Sequence, residues 1–143
     1  CRPALCLRDH LVENEGKDPG VADLVRRVEW FIIPVLNPDG YSYTWTVDRF
    51  WRKNRREPTE SRPQSWGVDP NRNYSHRWGR PGSTSNPNSG TYRGPAPFSE
   101  PETAALRHFT LAHPQVPAHN DVHSYGNYAL LPSCQLTEES PHP

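Results

Sequence analysis

Apolar positions recur at helical spacing twice near the start of the chain and then close up into a solid block. Leu5, Leu7, Leu11 and Val12 recur at roughly helical spacing, which predicts a helix spanning Pro3 to Glu15 and ending near Gly16, with Pro3 tolerable only close to the helix start. Val21, Leu24, Val25 and Val28 make a short amphipathic turn or two. This feeds into Glu29-Trp-Phe-Ile-Ile-Pro-Val-Leu36, which is aromatic, β-branched and short. Bounded by Asn37-Pro-Asp-Gly40, it reads as a buried strand closed by a turn. A helix followed by a buried strand points to an α/β fold.

From Tyr41 to Pro97 no clean period survives, and Gly, Pro, Ser, Asn and Arg dominate. A stretch of that length without regular structure is uncommon in a compact domain unless it is functional or disordered. The aromatic residues Tyr41, Tyr43, Trp45, Phe50 and Trp51 argue against disorder. Ser99-Glu-Pro-Glu102 then opens a helix, with Ser99 as its cap and acids in the first turn, while Leu106, Phe109 and Leu111 supply its apolar side up to His113-Pro114. Val116–Ser124 and Asn127–Leu131 read as two short strands.

Composition changes the picture in one respect. The 143 residues are 33% hydrophobic and include 17 Pro, poor material for a large core, so the chain reads as part of a larger fold. The absence of Met and the opening on Cys1 within a helical pattern fit that expectation. A net charge of zero gives no global field for nucleic acid or an anionic membrane, and no apolar run approaches the roughly 20 residues of a membrane span. Cys1, Cys6 and Cys134 leave an odd count with no C-x-x-C pair, so the redox compartment stays open.

Candidate chemistry gathers in three places. Gly67-Val-Asp-Pro-Asn-Arg-Asn73 sets Arg72 between Asn71 and Asn73 on a turn-rich loop, and a planar guanidinium beside an amide donor suits a carboxylate. A loop arginine is as readily a solvated one. Asn73-Tyr74-Ser75 is also a glycosylation sequon, which a loop in a binding cleft has little use for. Arg49-Phe-Trp-Arg-Lys-Asn-Arg-Arg56 reads as a solvated basic face, as a single-strand nucleic-acid patch, or as the wall of an anion-stabilising site. The Trp51-Arg52 pair favours the last, since an aromatic neighbour fixes a guanidinium's orientation. His123 ends the first of the two late strands, and a histidine there is structural as readily as a ligand. Pro114 and Pro117 oppose reading His119 and His123 as a helical zinc pair. In an open α/β sheet, sites lie beyond the carboxyl ends of strands, where both Asn37 and His123 fall.

Six ordered segments carry a resemblance: Pro34-Val-Leu-Asn-Pro-Asp-Gly-Tyr41, Asp48 through Arg56, Gly67 through Asn73, Ser85-Asn-Pro87 through Thr91-Tyr-Arg-Gly94, Phe98-Ser-Glu-Pro-Glu102 and His123-Ser-Tyr125. Their order and spacing resemble the carboxypeptidase A/B family of zinc metallocarboxypeptidases. The resemblance implies a mixed central sheet flanked by helices and a parent enzyme that releases C-terminal residues from peptides and proteins. It assigns Arg52 to the scissile carbonyl and its oxyanion, Asn71 and Arg72 to the terminal carboxylate, Ser124 and Tyr125 to substrate subsites, and His123 to one Zn2+ ion. It also implies a substrate with a free C-terminal carboxylate, no nucleic-acid or membrane partner, and a secreted or vacuolar location.

The same resemblance sets what is expected outside the chain. The family's His-x-x-Glu zinc ligands are expected upstream of Cys1, and its catalytic glutamate, mobile tyrosine and specificity-pocket residue downstream of Pro143. Residues 1–143 then read as an internal fragment of one catalytic domain truncated at both ends, family-like over 1–132 with an atypical tail at 133–143. Alone they are expected to be inactive. Two family cysteines that usually bridge the long loop map onto Ser65 and Asn88, leaving closure to Trp66 and Trp78. The alternative reading is an inactive family member that binds peptide C-termini or another protein.

Overall fold

The computed structural model describes residues 2–60 and 64–123. Four helices and one short 3-10 turn order this part of the chain. Helix α1 (Arg2–Asn14) takes the predicted place, and Leu11 is its buried apolar residue. Helix α2 (Pro19–Arg27) packs against it and buries Ala22. Asp18 caps α2 by accepting the Gly20 and Val21 amides, Pro19 supplies a preset first position, and Arg26 and Arg27 complement the negative end of the dipole.

The buried strand expected at residues 29–36 does not form: the segment bends at Pro34 and Leu36 and pairs with no neighbouring strand among the described residues. Trp30, Phe31 and Ile33 remain partly exposed at 39%, 39% and 47%. Phe31 meets Phe109 edge-on at 5.1 Å and His113 at 5.0 Å, which holds this segment against the end of α4. Asn37-Pro-Asp-Gly40 is not a turn closing a strand. It opens helix α3 (Pro38–Thr46), with Asn37 as cap and Pro38 as first helical residue. Asn-Pro suits both roles, and here the Asn37 carboxamide accepts the Gly40 amide at 3.0 Å while donating to the Lys53 carbonyl at 3.1 Å.

Helix α4 (Pro101–Ala112) also starts differently from the pattern. The cap position is Glu100, not Ser99, and its side chain makes no capping bond. Pro101 fixes the first helical φ, and the Glu100 carboxylate is drawn to Arg56 Nη1 at 2.6 Å and Asn54 Nδ2 at 2.8 Å instead of to its own helix. Asn73 does the capping from a distance: its Oδ1 accepts the Glu100 amide at 3.2 Å and the Thr103 hydroxyl at 2.6 Å. Of the late strands, residues 116–123 form none, and Asn127–Leu131 lies outside the described residues.

Between α3 and α4 the interior is largely polar. Asn54, Asp69, Asn73, Glu100 and Thr103 are each at most 1% exposed, packed beside Val68 and Tyr92. Burying such groups is tolerable only when their hydrogen bonds are made. Asn54 makes four: it donates to Glu100 and Glu102 and accepts the Val68 and Arg56 amides. Gly67 allows the close approach, with φ of +72° and an added Cβ only 2.2 Å from the Asn54 carbonyl oxygen. Gly94 is similar, since at φ of +82° its Cβ would stand 2.7 Å from Asn73 Nδ2.

Candidate functional site

Arg52, Asn71 and Arg72 are brought together around one buried carboxylate. Asp69 Oδ2 accepts Arg52 Nε at 2.9 Å and Nη2 at 2.9 Å, and Asp69 Oδ1 accepts the Asn71 amide at 3.1 Å. The carboxylate side chain is 2% exposed and that of Arg52 is 46% exposed, so the guanidinium is anchored from below and open to solvent above. Trp51 does not orient Arg52, as the adjacent pair suggested. Its ring lies instead 4.7 Å from the guanidinium of Arg55, which also stacks on Tyr43 at 3.7 Å and Trp66 at 4.4 Å. Neighbours along an extended chain point in opposite directions, so the indole meets Arg55, the fourth residue on, and not the next.

The loop that carries Asn71 and Arg72 is a 3-10 turn, Pro70–Arg72, capped by Asp69 and preset by Pro70. Asn71 is exposed. Arg72 Nε donates to the Gly82 carbonyl at 2.8 Å and Nη1 to the Asn71 carbonyl at 2.9 Å. Two backbone carbonyls therefore hold the guanidinium in place, unlike that of a freely solvated loop arginine. Asn73, on the same turn, points inward: its Nδ2 lies within 3.0 Å of the Arg93 and Ala96 carbonyls and of Ser99 Oγ.

His123 is exposed, and its Nε2 stands 3.0 Å from Asp121 Oδ2. In the tautomer that donates from Nε2 to this carboxylate, Nδ1 is the acceptor nitrogen, the arrangement in which a carboxylate orients a metal-binding imidazole. His123 makes no contact with Arg52, Asn71 or Arg72 among the described residues. Burial, and then the charge of Asp121, raise the Tyr74 phenol above its ordinary pKa of 10.0. Ser124 and Tyr125 lie outside the described residues.

Sequence reasoning passed over three features. One is a His-x-x-Glu spacing inside the chain, His10-Leu-Val-Glu13, hidden in what reads as an amphipathic helix. Both residues are exposed on α1, and His10 Nδ1 faces Asn14 Nδ2 at 3.3 Å. The second is Asp69, to which the Gly67–Asn73 motif assigns no role by residue type alone. The third is loop closure: the Ser65 hydroxyl donates to Asn88 Oδ1 at 2.6 Å, so the two positions that map onto cysteines still meet. Trp66 packs on Arg55, while Trp78 stacks with Arg93 at 4.9 Å and donates to its carbonyl.

The backbone arrangement is that of a carboxypeptidase. The solved structure of thrombin activatable fibrinolysis inhibitor superposes with a TM-score of 0.73 at 35% identity, over 78% of this chain and 28% of that one. A family model described as zinc carboxypeptidase matches residues 3–143, and the chain belongs to that family. It is 39% identical to carboxypeptidase A2 of Mus musculus over 129 residues, 90% of this chain and 30% of that protein. It is 40% identical to carboxypeptidase B of Homo sapiens over 134 residues, 91% of this chain and 31% of that protein. The chain thus spans about a third of the length of these relatives. The expected fold class, a mixed sheet flanked by helices, is the zinc-carboxypeptidase fold; the described residues carry its helices and a single isolated bridge between Thr84 and Tyr92.

The family implies Zn2+. Among the described residues, no three His, Cys, Asp or Glu side chains stand close enough to hold an ion, and His10 and Glu13 do not join His123. The donor set present fits one coordination position, Nδ1 of His123, against the three protein ligands that catalytic zinc sites use.

Proposed function

We propose that the protein carrying this chain is a zinc-dependent metallocarboxypeptidase that hydrolyses the last peptide bond of peptides and proteins. The 143 residues are part of its catalytic domain. The observation that supports this reading best is the common anchoring of Arg52, Asn71 and Arg72 on and around Asp69, within a chain of the zinc carboxypeptidase family. Two guanidinium groups, one open to solvent and one held by carbonyls, suit the two anionic centres that exist when such a bond is attacked. One is the substrate's own carboxylate, and the other is the oxyanion that develops on the scissile carbonyl.

In this reading Arg72 and Asn71 bind the terminal carboxylate and set the register of the substrate. Arg52 donates to the carbonyl oxygen as negative charge builds there, an electrostatic contribution that is often the largest in acyl chemistry. His123 offers Nδ1 to the metal, with Asp121 orienting the ring. Zinc, when bound, supplies Lewis acidity toward water and the carbonyl oxygen. Ser124 and Tyr125 line the neighbouring subsites. A secreted or otherwise extracytoplasmic location fits the same reading.

The test is release of the C-terminal residue from peptides with free and with amidated C-termini by the full-length protein. Free peptides are expected to be cleaved, amidated ones spared, and a chelator to stop the reaction. Arg52→Ala is expected to lower kcat by about 10²–10³-fold. Arg72→Ala should raise KM by about tenfold or more, the worth of a hydrogen bond to a charged group. Tight binding of the free peptide without cleavage would instead identify an inactive family member, and equal cleavage of amidated peptides would remove the role of Arg72.

A further inference from the structure

We propose that Asp69 is a positioning residue for this reaction, fixing through one buried carboxylate both the guanidinium of Arg52 and the turn that presents Asn71 and Arg72. The proposal rests on the reading of those three residues given above. Asp69 does not face the space above Arg52, since its side chain is buried beneath that of Arg52. What it does is divide its two oxygens between two tasks. Oδ2 takes Nε and Nη2 of Arg52, a two-point contact that fixes the plane of the guanidinium as well as its location. Oδ1 takes the Asn71 amide, and the Asp69 backbone oxygen accepts the Arg72 amide at 3.0 Å.

The residue is itself immobilised. Its amide donates to the Tyr92 carbonyl at 2.9 Å, Pro70 follows it, and Val68, buried before it, exchanges hydrogen bonds with Asn54. The Asp69 contact occupies the Nε edge of Arg52, and among the described residues no acceptor meets Nη1. The outer edge of the fork is therefore left for an oxygen that arrives with the substrate. Rotamer freedom of a long side chain is lost before binding and not during it, which is how preorganised donors gain their effect. A shift of about one ångström in such a group can cost about 10²-fold in rate. Because both oxygens belong to one carboxylate, a single side chain ties the Arg52 guanidinium to the turn that carries Asn71 and Arg72.

A purely structural role, capping the 3-10 turn, makes different predictions, and two substitutions in the full-length protein separate them. Asp69→Asn keeps the shape and removes the charge. Asp69→Ser keeps a hydroxyl that can cap the Asn71 amide but has nothing to hold Arg52. Each is expected to lower kcat by about 10²-fold. The double variant Asp69→Asn with Arg52→Ala should be no slower than Arg52→Ala alone, because a carboxamide oxygen still accepts the Asn71 amide and, with Arg52 gone, the lost charge has nothing left to position. Near-normal kcat in Asp69→Ser, or additive losses in the double variant, would overturn the proposal. A second readout is independent of turnover: hydrogen exchange at Arg52 Nε–H, followed by NMR, should be slow in the wild type and fast in either Asp69 variant. If the wild-type protein releases no C-terminal residue, the peptidase reading fails; unchanged Nε–H exchange defeats the Asp69 proposal whether or not the enzyme turns over.

Discussion

Asn73 shows how much a single side chain can carry. Five groups depend on it: the Arg93 and Ala96 carbonyls, Ser99 Oγ, the Glu100 amide and the Thr103 hydroxyl. Asn73→Ala is expected to destabilise the full-length protein by at least about 3 kcal/mol, since each buried group left unpaired costs about 1–3 kcal/mol. Chemical denaturation measures this, and Asn73→Asp should not rescue it because a carboxylate cannot donate to the two carbonyls. Tyr74, next in the chain, gives a pH signature. With its folded pKa above the unfolded value of 10.0, the neutral phenol binds its proton more tightly in the folded state. The associated stability is complete below pH 10 and is lost as pH rises through the folded pKa. Phenolate absorbance should show a tyrosine titrating above pH 10, and Tyr74→Phe should remove that step. Residue type and motif single out Arg52, Asn71 and Arg72 as candidates, and the structure gathers them around Asp69. Asp69 itself was not legible in the sequence, because nothing in its one-dimensional context says that Arg52, 17 residues earlier, lies on it.

At the scale of elements, pattern reading succeeded where a periodicity was local and failed where one signal fits two structures. The helices α1 and α4 follow their apolar spacing. α3 was missed because its apolar residues are few and its opening, Asn37-Pro38, reads equally as a turn. Residues 29–36 read as a buried strand, but pairing is a property of partners distant in sequence, and among the described residues there is none. Two further outcomes test the loops between the elements. Gly67→Ala puts a Cβ 2.2 Å from the Asn54 carbonyl oxygen at a positive φ, and is expected to cost about 3 kcal/mol or more in thermal or chemical unfolding. Ser65→Cys with Asn88→Cys places thiols where a 2.6 Å hydrogen bond now closes the loop. A bridge there should form under oxidising conditions, seen as a loss of two hydrogens in the mass, and should stabilise by up to about 3 kcal/mol.

For the whole molecule, the described residues bury only Leu11, Ala22, Val68 and Tyr92 as hydrophobic core, while Trp45, Val47 and Phe50 are 66%, 69% and 93% exposed. The apolar groove lined by Leu11, Val12, Val25, Trp30 and Ile32 is likewise open. Residues 1–143 purified alone are therefore expected to bind a hydrophobic dye and to release no C-terminal residue; chelator-sensitive release by that polypeptide would contradict the ligand accounting given for His123. The low apolar fraction of the sequence foreshadowed this modest core, and the polar network between α3 and α4 is what the composition could not reveal. That network bears on how the protein is made. Asn73-Tyr74-Ser75 is an acceptor for a sugar chain only while the Asn73 amide nitrogen is free, and in the fold that nitrogen is sealed under Arg93, Ala96 and Ser99. On the extracytoplasmic location proposed above, the two fates compete as the polypeptide emerges. Molecules that reach the native state are expected to carry no glycan at Asn73 by peptide mapping, and any that were modified first should be found among the misfolded fraction.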